Sequence, residues 1–348
     1  MTPGDSDHRG DSPTRTPRSS IPSDAGASAG RAGQGAQGVI NTSTEIRRPV
    51  RLDGFDVTMQ GPDLSRPNAA RVYDYFLDGG MNYGIDQEFA REAMTIFPAI
   101  KEGARDNRGF LGRAVRYLVS QGVRQFLDLG CGIPSVGSSW EIATHERLDA
   151  RVVCVDNEPV AVHATEDAIQ KDPERHKHVD VIQADLTDPD TVLKNPFVRG
   201  VLDLNRPIGV LMVAVMHFVG PGDQPRDLIK QYMSRAAAGS YIALSVAASD
   251  DAPLSQQAQL DQFVKKYENT SSPLYLRRHN EVRSWLDGLE LVSPTTGQPD
   301  VTTPLVHLDD WMPDDTGPSP RKVSEAHGCA WCGVARKPNS YPRTDSTI

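Results

Sequence analysis

From residue 124 to residue 335, short apolar runs alternate with stretches of helical spacing. Seven runs read as strands: 124–129, 151–155, 179–184, 208–218, 241–247, 290–292 and 329–335. The run from Ile208 to Phe218 is continuous rather than alternating, as expected of a strand covered on both faces. Helices are predicted between them: Trp140 to Glu146, a helix started by Pro159, Pro189 to Leu193, and 225–238, 255–268 and 278–287. Strands alternating with helices predict an open α/β sheet, and the two late strands predict a closing hairpin. No internal repeat is visible.

The pattern before the first strand is different. Pro67 suits a first helical turn, and Ala69, Val72, Tyr73, Phe76 and Leu77 follow at helical spacing until Gly79-Gly80. A loop, Asn82-Tyr83-Gly84, leads to a second helical stretch from Asp86 to Met94. A third is expected to start at Asn107 as N-cap, with Phe110, Leu111, Ala114, Val115 and Leu118 on one face and Gly122 as the stop. These helices predict a cap rather than part of the sheet. Four divisions result: a disordered tail over 1–45, a helical cap over 46–122, a sheet domain over 123–338 and a second disordered tail over 339–348. The tails are rich in polar residues, Gly and Pro, and bury too little to offset their ordering entropy.

Composition narrows the function. The chain has 348 residues, 38% of them hydrophobic, enough for one sizeable core with extensions. Its 46 acidic against 37 basic residues give a formal charge of −9, which argues against a sequence-independent grip on nucleic acid. No run is long enough to span a membrane and the N-terminus lacks a signal-peptide core, so no membrane partner and a cytoplasmic setting are expected. The four cysteines do not make a disulfide framework. Cys329-Ala330-Trp331-Cys332, with His327 just before, has half the ligands of a zinc site; without a second C-x-x-C it reads as a buried strand, and no metal is expected.

Chemistry gathers at three strand ends. The first is Asp128-Leu129-Gly130-Cys131-Gly132, where two glycines let the backbone approach a ligand. The second, Val155-Asp156-Asn157, ends on a carboxylate that can accept both hydroxyl protons of a ribose. The third is Ala184-Asp185-Leu186, placed to meet a base, or else a helix N-cap. Ser135 stands where a dinucleotide fingerprint has its third glycine, which disfavours a nicotinamide oxidoreductase. The fourth run ends in Val215-Met216-His217-Phe218. Here Met216 is expected beside the cofactor, and His217 is either a general base or a structural histidine beneath it.

The D-x-G-x-G turn resembles motif I of class I S-adenosylmethionine-dependent methyltransferases. Wider segments resemble one actinobacterial family of such enzymes, formerly a domain of unknown function. They are Pro67 to Tyr83, Asn107-Arg108-Gly109-Phe110-Leu111, Gln125 to Pro134, Val152 to Pro159 and Gly333 to Pro338. The resemblance implies a Rossmann-like, doubly wound seven-stranded sheet in the order 3-2-1-4-5-7-6. It also implies that Arg71, Tyr75, Asn82 and Tyr83 border the cofactor beside Gly130, Asp156, Asn157 and Asp185. The family tends to carry an Asn-Thr-His-Glu-like segment after the turn; here Ser138-Ser139-Trp140-Glu141 keeps only the glutamate. The expected activity is methyl transfer from S-adenosylmethionine to an O or N nucleophile of a small molecule, with secondary metabolism as its setting. The rival is a regulatory protein that binds the cofactor without turnover. Acceptor identity and oligomeric state are not legible.

Overall fold

The computed structural model describes residues 61–135, 137–295, 305–313 and 323–342. The expected tail over 1–45, the cap up to residue 60 and the chain beyond 342 lie outside them. The strands are β1 (Gln125–Leu129), β2 (Arg151–Asp156), β3 (Val179–Gln183), β4 (Gly209–Val213), β5 (Tyr241–Ala247), β6 (Glu290–Leu291) and β7 (Ala330–Arg336). They form one sheet in the order β3-β2-β1-β4-β5-β7-β6, as the resemblance implied. β1 to β5 pair in parallel, while β7 runs antiparallel to both β5 and β6.

Successive side chains of a strand face opposite sides, and both sides here are covered. Leu127, Leu129, Val153, Val210, Met212 and Leu244 pack against α8 (Pro225–Arg235) and α10 (His279–Trp285) through Ile229, Tyr232 and Trp285. On the other face Phe126, Val152, Cys154 and Leu211 meet Phe110, Ala114 and Leu118 of α3 (Ile100–Ser120) and Trp140 of α4 (Ser139–Glu146). Each large apolar side chain buried this way contributes roughly 1.5–3 kcal/mol. Lys337, just after β7, ties the end of that strand to α8. It is 1% exposed, and its Nζ donates to the carbonyls of Met233 (2.7 Å), Ser234 (3.2 Å) and Ala236 (2.8 Å), satisfying the end of α8. The chain stays packed past the boundary drawn at 338, because Tyr341 rests on the first of these clusters.

Several local expectations change. Asn68, not Pro67, begins α1 (Ala69–Phe76); its side chain accepts from the backbone N–H groups of Ala70 (2.8 Å) and Arg71 (3.4 Å). α3 starts at Ile100, so Asn107 lies well inside the helix and is not its N-cap. The run 208–218 is strand only to Val213, because Ala214 takes φ 56° and turns the chain. An unexpected short helix, α7 (Pro196–Val201), follows α6 (Pro189–Lys194), capped by the side chain of Asn195. The cap is also wider than expected. α1, α2 (Gly84–Ile96) and α9 (Leu254–Tyr267) share a third apolar cluster, with Phe89 edge-on to Tyr267 at 5.0 Å and Phe97 to Phe263 at 6.0 Å.

Candidate functional site

The strand order reverses between β1 and β4, and at their carboxyl ends lies a cavity of about 440 Å³. Its floor begins with the glycine turn. Gly130 has φ 75°, and a Cβ there would stand 2.4 Å from Val215 Cγ2, so only glycine fits. Gly132 has φ 66° and nothing within 4 Å of its Cβ position: that space is open. The turn is tied to β2, since the N–H groups of Gly130 (2.8 Å) and Cys131 (3.1 Å) both donate to the Val155 carbonyl.

Asp156 joins the two strand ends. Its Oδ2 accepts from the Gly132 N–H at 2.7 Å and its Oδ1 from the Glu158 N–H at 2.9 Å. Burial pushes its carboxyl up to about 6, against the pull of those two N–H groups and helped by the nearby charges of Glu158 and Asp128. Asp128 accepts from the Ser139 hydroxyl, and burial raises it likewise to about 6. Asp185 Oδ1 accepts from the Thr187 N–H and hydroxyl, both at 2.8 Å, which fixes the third strand end. Glu141 has a local duty: it accepts from the N–H groups of Gly137 and Ser138 and caps α4.

On the β4 and β5 side a chain of hydrogen bonds runs across three elements. The Ala214 N–H donates to Ser245 Oγ (2.9 Å), whose hydroxyl donates to Asn107 Oδ1 (2.5 Å). Asn107 Nδ2 donates to Tyr73 Oη (3.0 Å), and the Tyr73 hydroxyl donates to the Ala104 carbonyl (3.0 Å). Every donor finds an acceptor, so the strained Ala214 turn, α3 and α1 hold one geometry. The guanidinium of Arg108 then lies over the Tyr73 ring, 5.6 Å from its centre.

His217 sits in the loop beyond β4, not at the strand's end. Its Nδ1 accepts from the Ala247 N–H at 3.3 Å, which leaves the proton on Nε2. Burial, together with the charge of Arg277, pushes its pKa down to about 3. A ring so weakly basic, with its free lone pair engaged, is a poor general base. Of the two roles expected for His217, this arrangement favours the structural one, and what the ring offers the cavity is a neutral N–H.

Of the expected cofactor residues, Asp128, Gly130, Cys131, Gly132, Asp156, Asn157, Ala184, Asp185 and Leu186 line the cavity together, as does His217. Arg71, Tyr75, Asn82, Tyr83 and Met216 do not. Arg71 is fully buried, with Nε on Asp86 Oδ2 (2.9 Å), Nη1 on Glu158 Oε1 (3.0 Å) and Nη2 on the carbonyls of Asp63 and Arg66. It rivets α1 to α2 and to the start of α5 (Pro159–Gln170). Asn82 folds its own loop, donating to Asp74 Oδ2 (2.8 Å) and the Gly79 carbonyl (3.0 Å). Tyr83 is 42% exposed outside Arg71, Tyr75 joins the third cluster, and Met216 is wholly inside the sheet core.

Sequence reasoning missed Asn107, Arg108 and Ser245 as cavity residues, and the aromatic roof. The roof is Phe76, Phe97, Phe218, Leu260, Phe263 and Tyr267. Asn107 and Arg108 stood in a segment that carried the resemblance, but reading Asn107 as an N-cap hid them. The C-x-x-C pair does not converge: Cys329 Sγ donates to Gln256 Oε1 (3.2 Å) and Cys332 Sγ to the His307 carbonyl (3.5 Å). Asp309, Asp310 and His327 bring ligand-type atoms within 4.8 Å of one another outside the cavity lining, with His327 Nδ1 already 2.9 Å from Asp309 Oδ1.

The lining has room and polar groups for a nucleoside: buried carboxylates at the ends of β1 and β2, Asp185 beyond β3, and open space over Gly132 that any side chain there would fill. The comparisons agree. A family model described as S-adenosyl methyltransferase matches residues 58–338. The solved structure of a proposed methyltransferase from Thermobifida fusca is 32% identical, covers 79% of this chain and 97% of its own, and superposes with a TM-score of 0.69. A DUF574 family protein from Streptomyces avermitilis is 31% identical over 78% of this chain and 98% of its own, also with a TM-score of 0.69. Among curated proteins none matches. Among the described residues no helix is long and apolar enough to cross a membrane.

Proposed function

This chain belongs to the S-adenosyl methyltransferase family, and from that premise we propose that it methylates an oxygen or nitrogen nucleophile on a small, apolar, planar molecule. Its cofactor is S-adenosylmethionine, which when bound supplies a methyl group on a sulfonium, ready for in-line displacement.

The observation that carries the acceptor reading is the division of one cavity into a polar floor and an aromatic roof. On the floor, Asp156 keeps lone pairs for a ribose diol while Gly132 and Glu158 fix its orientation. In this reading Asp185 and the Leu186 backbone meet the base, and Asp128 an ammonium. The roof presents Phe76, Phe97, Phe218, Phe263 and Tyr267, which favour a flat apolar partner and penalise a charged one. His217 Nε2–H is then an orienting donor to the acceptor's heteroatom. The main contribution to rate is alignment and exclusion of water beneath the cap, effects worth several kcal/mol.

The test is turnover, read as S-adenosylhomocysteine release, with a panel of neutral phenols and aryl amines on wild type and Phe263→Asp. Saturable turnover of a neutral aromatic acceptor, with a raised KM in the variant and unchanged cofactor affinity, supports the proposal. Turnover only of charged acceptors, or cofactor binding with no turnover on any acceptor, refutes it; the second outcome is the behaviour of a cofactor sensor.

A further inference from the structure

The cavity wall holds four carboxylates, Asp128, Asp156, Asp185 and Asp223, but among the described residues only one lysine or arginine, Arg108. That cation has no carboxylate at ion-pair distance among the described residues. Its guanidinium rests on the Tyr73 ring, and its Nε is shielded from water with no hydrogen-bond partner. Holding a half-buried charge in this condition costs free energy that a ligand's anion would return.

Arg108 is also fixed in place. The preceding residue, Asn107, is clamped from β5 by Ser245 and from α1 by Tyr73, so the helix that carries Arg108 cannot rotate without breaking that chain. Across the glycine turn stands Asp128, close enough for the two charges to feel each other. A cation and an anion facing one cavity beside Gly130 match the two ends of an α-amino acid. The other arginine expected to serve here, Arg71, is spent on Asp86 and Glu158.

We propose that Arg108 binds the α-carboxylate of the cofactor's methionine tail, opposite an ammonium held by Asp128, and so selects ligands that carry the complete amino acid. The assignment rests on the S-adenosylmethionine reading above. A planar guanidinium both stacks on Tyr73 and meets a carboxylate with two parallel N–H groups, which a lysine does not reproduce.

The experiment is calorimetric titration of the full chain with S-adenosylmethionine and with its decarboxylated form, which keeps the ammonium and sulfonium. Wild type, Arg108→Gln and Arg108→Lys are compared, with the unliganded unfolding temperature of each. Wild type should prefer the complete cofactor by about 10- to 100-fold, the range of one charge-assisted hydrogen-bonded contact. Arg108→Gln should bring the two ligands within about twofold, with the decarboxylated form bound as well as before or better. Arg108→Lys should fall between. A wild type that binds both ligands equally, a glutamine variant that keeps the preference, or one that weakens both ligands alike overturns the assignment while leaving the cofactor in place. A folded wild type that binds neither ligand removes the cofactor reading, and the assignment with it.

Discussion

Replacing Arg71 by methionine separates two roles that look alike in the sequence. The guanidinium is fully buried and ties together the start of α1, Asp86 of α2 and Glu158 at the N-cap of α5. Arg71→Met keeps most of the side chain's length but leaves two buried carboxylates facing a thioether. Removing one partner of a buried pair costs about 3–5 kcal/mol. The second carboxylate does not double this, because each acid keeps other donors. Asp86 still accepts from the N–H groups of Asn68 and Tyr83 at 3.0 Å, and Glu158 from Val160 at 3.3 Å. At about 2–4 °C per kcal/mol for a domain of this size, the melting temperature should fall by roughly 6–20 °C. Adding Glu158→Gln should restore part of the loss, since it removes one orphaned charge. The assay is thermal unfolding by circular dichroism, paired with S-adenosylhomocysteine titration at a temperature where the variant is folded. Affinity should stay within about threefold of wild type, since Arg71 does not line the cavity. An unchanged melting temperature with a tenfold weaker ligand would return Arg71 to the cofactor and refute the reasoning.

Gly132→Ala and Gly130→Ala should fail differently. The first places a methyl in open ligand space, so S-adenosylhomocysteine affinity should drop at least tenfold for a stability loss of about 1–2 kcal/mol. The second drives a methyl into Val215 and should lower stability more; equal effects in both assays would contradict this. His217→Gln should keep turnover within about tenfold of wild type, where loss of a true general base costs about 10²–10⁴-fold. Asp128 and Asp156 have folded-state values near 6, above the ordinary aspartate value, so the unliganded fold holds protons that the unfolded chain has released. Their contribution to stability is therefore present in full below about pH 4 and is lost as pH rises through 6. Over the same window cofactor affinity should rise with pH, because ribose hydroxyls and an ammonium need ionised acceptors. An Asp156→Asn variant should flatten both trends, and unaltered slopes would show that other groups set them.

The sheet was legible because its signals are local. Apolar runs, helical spacing and the three acidic strand ends are all written in consecutive residues, and the topology followed from a family resemblance in the same segments. What escaped depends on contacts distant in the chain. Asn107 looked like a cap because an asparagine before a helical pattern usually is one; its meeting with Ser245, 138 positions away, has no sequence signature. Arg71 and Arg108 are indistinguishable as letters, and only the buried carboxylates paired with the first separate a rivet from a cation that lines the cavity. The end of β4 was misplaced because apolar character continues through Met216 while the backbone turns at Ala214. α9 was expected as a helix, but nothing in its own spacing shows that it roofs the same cavity as α1.

The floor and roof of the cavity come from separate intervals of the chain. The floor is drawn from 128–132, 155–157 and 184–187, and much of the roof from α9 and the residues up to 276. Mutation can therefore explore new acceptors in one interval while the other preserves the methyl donor. If the roof meets the acceptor as proposed, drift in α9 changes half of that surface without touching the glycine turn. Relatives sharing the glycine turn but differing between 254 and 276 should then act on different molecules, and exchanging that interval between them is a direct route to a changed acceptor.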